Sequence, residues 1–144
     1  FTNDIRSVSV SGVLKNIYAI SLGIAAGLDW GDNRKGWLCA ASLSEMSLIL
    51  KMQKTNPSFA YRQSGLADLI ATGFSKYSSN QTLGRELVEK SHCERKSEGC
   101  ISLPFLVKQL GVKRMKTLPI LSSLNRIISK GKNAKDEFET LFCG

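Results

Sequence analysis

Apolar residues recur along this chain at three- and four-residue steps, the spacing that stacks side chains on one face of an α-helix. Val10, Val13, Ile17, Ile20, Ile24 and Leu28 form the first such stripe. Gly23 and Gly27 lie inside it. Each costs about 1 kcal/mol relative to alanine in a helix interior, so both point to close approach by a neighbouring segment. Ser11, Lys15, Asn16 and Ser21 interrupt the apolar run. It therefore falls short of the roughly 18 uninterrupted apolar residues of a membrane span and reads as a buried helix. Asp29-Trp30-Gly31-Asp32-Asn33 then signals a stop and a turn.

Further stripes follow. Ser42 and Glu45 have the spacing of a capping box opening a helix with Leu43, Met46, Ile49 and Leu50 inward. Asn56-Pro57 ends that helix and starts the next, whose expected face is Leu66, Ile70, Phe74 and Tyr77. Ser79 or Asn80 caps a short helix bearing Leu83, Leu87 and Val88, and Ser102 caps one bearing Leu103, Leu106, Val107 and Leu110, closed by Gly111. Thr117 caps another, with Pro119 in its first turn, Leu118, Leu121, Leu124 and Ile128 inward and Gly131 at its end. A last helix places Phe138, Leu141 and Phe142 on the core. Only Ile5 to Val10 reads as a possible short strand. The expected fold is all-α: one domain over residues 1–144, a compact disulfide-stapled bundle of about six or seven short helices.

Composition agrees with a globular domain, since 42% hydrophobic and 22% charged residues exclude global disorder. Four cysteines, Cys39, Cys93, Cys100 and Cys143, favour a disulfide framework over buried thiols or zinc. There is no C-x2-C pair, and the sole histidine, His92, adjoins Cys93, so no metal site is expected. On the residues alone, Cys93–Cys100 with Cys39–Cys143 and Cys39–Cys93 with Cys100–Cys143 both stay open. The chain begins with Phe1, which suits a protein that has lost a leader and works in the periplasm or outside the cell.

Charge adds a direction. The net charge is +8, and residues 99 to 135 hold eight basic side chains and no acidic one. Such asymmetry favours an acidic partner. Nucleic acid is the less favoured one, because the basic half lacks interleaved aromatics for base stacking. The segment from Asp29 to Lys35 carries two charges of each sign beside Trp30, with Trp37 just beyond. An amphipathic aromatic among loop charges has the make-up of an interface hot spot, whereas Trp37, two residues from Cys39, is expected in the core.

Catalytic machinery is not evident. His92 lies in a polar, charged stretch beside Cys93 and reads as solvent-exposed rather than as a base. Glu45, flanked by apolar residues, is the best candidate for a tuned acid, although a helix cap explains it more simply. No phosphate-cradling G-x-x-x-x-G-K-[ST] occurs, and no cofactor is expected.

Over about residues 18–93 the chain resembles the type VI secretion amidase-immunity proteins, the Tai and Rap families. The resemblance is carried by Tyr18 and Gly23 in the first long helix, a loop reaching Cys39, and Ser42 and Glu45 opening a helix. That helix ends at Asn56-Pro57, and Leu69, Ile70 and Phe74 follow before Cys93. It implies a periplasmic inhibitor that plugs the cleft of a cell-wall hydrolase, and the pairing Cys39–Cys93 with Cys100–Cys143 added. The functional expectation is thus a non-enzymatic, exported immunity protein that neutralises a secreted effector with an acidic surface. Asp29, Trp30, Asp32, Asn33, Arg34 and Lys35 are the expected contacts, with Lys113, Arg114 and Lys116 second. The alternatives are a secreted effector acting on an acidic surface, or a small glycan hydrolase using Glu45.

Overall fold

The computed structural model describes residues 4–90 and 96–143, which are all-helical. In order they form α1 (Ile5–Gly27), α2 (Asp32–Met52), a 3-10 turn (Pro57–Tyr61), a π turn (Gln63–Ala67), α3 (Asp68–Gly73), α4 (Ser79–Glu89), α5 (Glu98–Met115), α6 (Pro119–Lys130) and α7 (Ala134–Cys143). The core is one cluster of buried apolar side chains running from Leu14 on α1 to Phe138 on α7.

Helix α1 is the axis of the fold, packing on α2, α3, α4, α5 and α6. At 23 residues it is long and apolar enough to cross a membrane by length and composition. Here protein supplies the apolar surroundings instead, and every residue from Ile17 to Ala25 is buried. Residues 5–10, the possible strand, are the first turns of α1. The Asp4 carboxylate caps them, accepting from the Ser7 N–H at 3.0 Å and the Ser7 hydroxyl at 2.6 Å. These bonds hold the Asp4 carboxyl below its ordinary 3.8. Ser7 Oγ in turn accepts from the Asn56 N–H at 2.9 Å, tying the helix start to the 3-10 turn.

The glycines of the first stripe meet the backbone of α4. A methyl on Gly23 would strike the Gln81 carbonyl, one on Gly84 would strike the Ile20 carbonyl, and one on Gly27 would lie 3.0 Å from Val88. Two helices cross here with nothing but hydrogens between their backbones.

Several boundaries differ from the sequence expectation. The turn at residues 29–31 is real, with Asp29 at φ 55°, but α2 starts at Asp32 and runs unbroken through Ser42 and Glu45. Both are buried mid-helix, so they open nothing. Asn56 does cap the 3-10 turn, accepting from the Ser58 N–H at 3.0 Å. Of the expected face of Leu66, Ile70, Phe74 and Tyr77, only Leu66 packs against the core. The π turn inserts an extra residue per turn and rotates the face, so Leu69 is buried while Ile70, Phe74 and Tyr77 are exposed. Ser78, directly before the expected Ser79, caps α4, and Ser97, well before the expected Ser102, caps α5. Gly111 interrupts α5 with φ 83° and ψ 165°, a conformation only glycine adopts without strain. Gly131 ends α6 in the left-handed region at φ 67°.

No disulfide is found among the described residues. Cys39, Cys100 and Cys143 are free thiols, which excludes Cys39–Cys143 and Cys100–Cys143 and leaves Cys39 unbridged. Cys93, like His92, lies outside the described residues. Cys39 and Cys100 are half-buried against the core as small apolar side chains, and burial raises both thiols above their ordinary 9.0. Packing by α1, not covalent staples, holds the bundle.

Two outcomes follow. Gly84→Ala should destabilise the chain by about 1–3 kcal/mol, because the methyl must push apart two backbones, and chemical denaturation would register it; an unchanged midpoint would disprove the close crossing. In a Cys93→Ser background, a disulfide-exchange reagent should titrate three thiols after denaturation. In the native chain Cys143 should react well before Cys39 and Cys100.

Candidate functional site

Two of the polar residues that break the apolar run of α1, Lys15 and Asn16, gather partners from three other elements. Lys15 Nζ donates to Asp68 Oδ2 at 3.3 Å. The Lys15 side chain is 24% exposed and that of Asp68 44%. Asp68 is the first residue of α3, directly after the π turn. That turn packs so closely that Gly65 lies against the Ala60 carbonyl, with no room for a side chain. The bond to Asp68 uses one of the three donors of an ammonium.

Beside this pair runs an amide relay. The Gly99 N–H donates to Asn80 Oδ1 at 3.0 Å. Asn80 Nδ2 donates to Asn16 Oδ1 at 3.2 Å, and Asn16 Nδ2 donates to Glu98 Oε2 at 2.9 Å. Asn80 is 4% exposed, so its amide needs these partners. Gly99 is required, since a methyl there would meet the Asn16 carbonyl. Lys15 and Asn16 are consecutive on α1, so one helical register presents a half-buried ammonium and an oriented carboxamide side by side. Such a set can bind a small polar oxygenated molecule and can hold a proton at its oxygen. Sequence reasoning passed over all five side chains. The available signal was the Lys15-Asn16 interruption of an otherwise buried helix, because a lysine inside a core helix needs a partner.

The expected contact residues lie elsewhere. Asp29, Asp32 and Asn33 are exposed around the α1–α2 connection, and Lys35 is half-buried there. Trp30 is only 4% exposed, with its ring centroid 5.8 Å from Phe138 and 5.6 Å from Phe142. It is a core residue and has no free face to offer a partner. Trp37, expected in the core, is 39% exposed. Arg34 stacks over Phe142 at 4.2 Å and Trp30 at 4.8 Å and pairs with Glu139 at 3.3 Å, clasping α2 to α7. Lys113, Arg114 and Lys116 are exposed beyond the Gly111 break.

Glu45 caps a helix, but not its own. Its Oε2 accepts from the Ile120 N–H at 2.8 Å and its Oε1 from the Leu121 N–H at 3.1 Å and the Tyr18 hydroxyl at 2.9 Å. Those are first-turn amides of α6, whose own cap residue, Leu118, has no side-chain acceptor. Burial raises the Glu45 carboxyl above its ordinary 4.5, and the three hydrogen bonds oppose the rise without cancelling it. Desolvation and the adjoining carboxylate push the Tyr18 phenol well above 10.0. A carboxylate so committed is structural, and the hydrolase role fails on this geometry.

Comparison with known proteins gives one answer. The family profile described as "NAD-dependent glycerol-3-phosphate dehydrogenase C-terminus" matches residues 4–139. Glycerol-3-phosphate dehydrogenase [NAD(P)+] of Staphylococcus epidermidis is 34% identical over 96% of this chain and 44% of its own length. The enzyme of the same name from Pseudomonas savastanoi is 33% identical over 97% of this chain and 43% of its own. Among solved structures, the glycerol-3-phosphate dehydrogenase of Coxiella burnetii superposes with a TM-score of 0.85 at 24% identity, covering 98% of this chain and 45% of that one. That of Plasmodium falciparum does so with a TM-score of 0.82 at 21% identity, covering 96% and 43%; both show the shared fold. The chain thus spans less than half the length of the curated relatives it matches.

These matches overturn the resemblance to the Tai and Rap immunity families, and with it the inhibitor, effector and glycan-hydrolase readings. The non-enzymatic reading falls too, because the relatives are named as dehydrogenases. The expected periplasmic or extracellular location is overturned by the same family match. The resemblance failed because its marks, a glycine in a helix, an Asn-Pro break and a cysteine after a loop, are common to many helical folds.

Glu45→Ala should cost roughly 2–4 kcal/mol, since it orphans two buried N–H groups and a phenol, as denaturant midpoints would reveal. Between the ordinary 4.5 and its raised folded value, Glu45 binds more proton in the folded than in the unfolded chain. Its contribution to stability therefore falls as pH rises through that window. Stability measured against pH should lose this component in Glu45→Gln; an identical profile in the variant would mean that Glu45 does not titrate there.

Proposed function

We propose a function from one premise: the chain belongs to the family of NAD-dependent glycerol-3-phosphate dehydrogenase C-termini. It is the helical, substrate-facing part of such a dehydrogenase, and Lys15 is its acid–base group. The observation that carries this reading is the Lys15–Asp68 pair at 3.3 Å, set beside the Asn16–Asn80 amide relay at the junction of α1, α3, α4 and α5.

Oxidising a secondary alcohol such as the central carbinol of glycerol 3-phosphate requires its hydroxyl proton to leave. The reverse reaction needs a proton at the same oxygen. As the ammonium, Lys15 Nζ can give a proton to that oxygen in the reduction through a donor not used by Asp68. As the neutral amine it can take the hydroxyl proton in the oxidation. Asp68 orients the ammonium and keeps a compensating charge against it. The second Nδ2 hydrogens of Asn16 and Asn80 are the neighbouring donors for the other oxygens of the substrate.

The residues described do not fit a dinucleotide. They contain no strand leading into a glycine-rich turn and helix, and no G-x-G-x-x-G occurs anywhere in the chain. This chain's contribution is to bind the substrate, orient it and move its proton.

Titration of the chain with glycerol 3-phosphate, followed by amide NMR shifts, tests the reading. Saturable shifts are expected around residues 15, 16, 68 and 80, and Lys15→Gln should bind at least tenfold more weakly with unchanged helix content. Equal binding by a folded Lys15→Gln chain, or shifts confined to another surface, would remove the assignment.

A further inference from the structure

A second concave surface lies away from the Lys15 junction. The break at Gly111, φ 83°, turns the end of α5 outward, and Pro119 starts α6 immediately after. Between them is a groove of about 720 Å³ lined by residues of α5, α6 and their connection. Val107, Val112, Met115 and Pro119 make its apolar part. Val112 is 79% exposed, a large cost in unburied apolar surface for a side chain that touches nothing useful.

The basic groups of the groove are Lys108, Lys116, Lys130 and Arg126. Arg126 is already neutralised, its Nε donating to Glu137 at 2.8 Å. The three lysines have no ion pair among the described residues, and no acidic side chain occurs from residue 99 to 135 to offset them. The groove is therefore both apolar and positive. Its volume falls in the ~300–1,000 Å³ range typical of small-molecule sites. It has no aromatic lining on which a base would stack, which disfavours nucleic acid.

We propose that this groove binds a single-chain amphipathic anion, with an acyl chain along Val107, Val112, Met115 and Pro119 and a phosphate or carboxylate head on Lys108, Lys116 and Lys130. The site is separate from the Lys15 junction, and no residue is common to both. The same head and tail chemistry occurs in a dissolved amphiphile and in a bilayer lipid. A volume of about 720 Å³ is that of a pocket for one dissolved molecule, which favours the dissolved amphiphile over a bilayer face.

Isothermal titration with decyl phosphate below its micellar concentration tests this. One saturable site is expected. Lys108→Glu/Lys116→Glu should weaken it at least tenfold, and so should Val112→Asp. Lys51→Glu/Lys76→Glu, with the same charge change on exposed positions elsewhere, should leave it within about twofold. Inorganic phosphate and uncharged decyl glucoside should each bind far more weakly than decyl phosphate. Absence of saturable binding would overturn the proposal, as would equal weakening by the control pair, which would mean that only net charge matters. Binding to vesicles of phosphatidylglycerol and phosphatidylcholine without binding of decyl phosphate would overturn it in favour of a membrane surface. Because the variants lie outside the Lys15 junction, glycerol 3-phosphate binding remains an independent readout.

Discussion

Where α1 crosses α4, Gly23 faces the Gln81 carbonyl and Gly84 faces the Ile20 carbonyl, at separations that leave no space for a methyl group. That contact sets the distance between Asn16 and Asn80 in the polar junction. One turn further along, the same crossing puts Asn80 against Asn16, and through Asn80 it fixes the start of α5 at Gly99. A wider crossing would break the relay and leave a buried carboxamide unpaired. The glycines look like defects of a helix by propensity; in the folded chain they are what lets the polar site form at all.

Burying α1 creates a second obligation. Most polar side chains that this helix buries are given partners, whereas the buried Ser11 hydroxyl has none among the described residues. Ser7 is shared with Asp4 and Asn56, Tyr18 with Glu45, Asn16 with Asn80 and Glu98, and Lys15 with Asp68. Two of these ties, at Ser7 and Tyr18, are structural fasteners. Tyr18 and Glu45 join α1 and α2 to the first turn of α6, supplying the acceptor that α6 lacks locally. Lys15–Asp68 and Asn16–Glu98 differ because they keep contact with solvent, so the junction is reachable as well as held. That difference separates a site from a fastener.

The far end of the bundle is closed by aromatic packing. Trp30, Trp37, Phe138 and Phe142 form a continuous set of tilted and edge contacts, with Arg34 laid over two of the rings. The side chain with the make-up of an interface hot spot is thereby used to dock α7. The excess positive charge is left instead on α5 and α6, where Gly111 opens a groove with an apolar floor.

The sequence by itself determined the helical class, the buried first helix, the glycine contacts within it, the Asn56-Pro57 break and the stops at Gly111 and Gly131. Each of these depends on neighbours within a turn or two, where side-chain period and backbone propensity decide. It did not determine the site. Lys15 and Asp68 are 53 residues apart, and Asn16 and Glu98 are 82 apart, so only the helix crossing brings them together. Ser42-x-x-Glu45 read locally as a cap, yet the carboxylate serves amides 75 and 76 residues away. Four cysteines read as staples, yet the three described ones are free thiols, because a disulfide needs two side chains to meet in the fold and chain spacing does not decide that. Local rules place elements; only the packing of α1 against its neighbours decides which polar groups face each other.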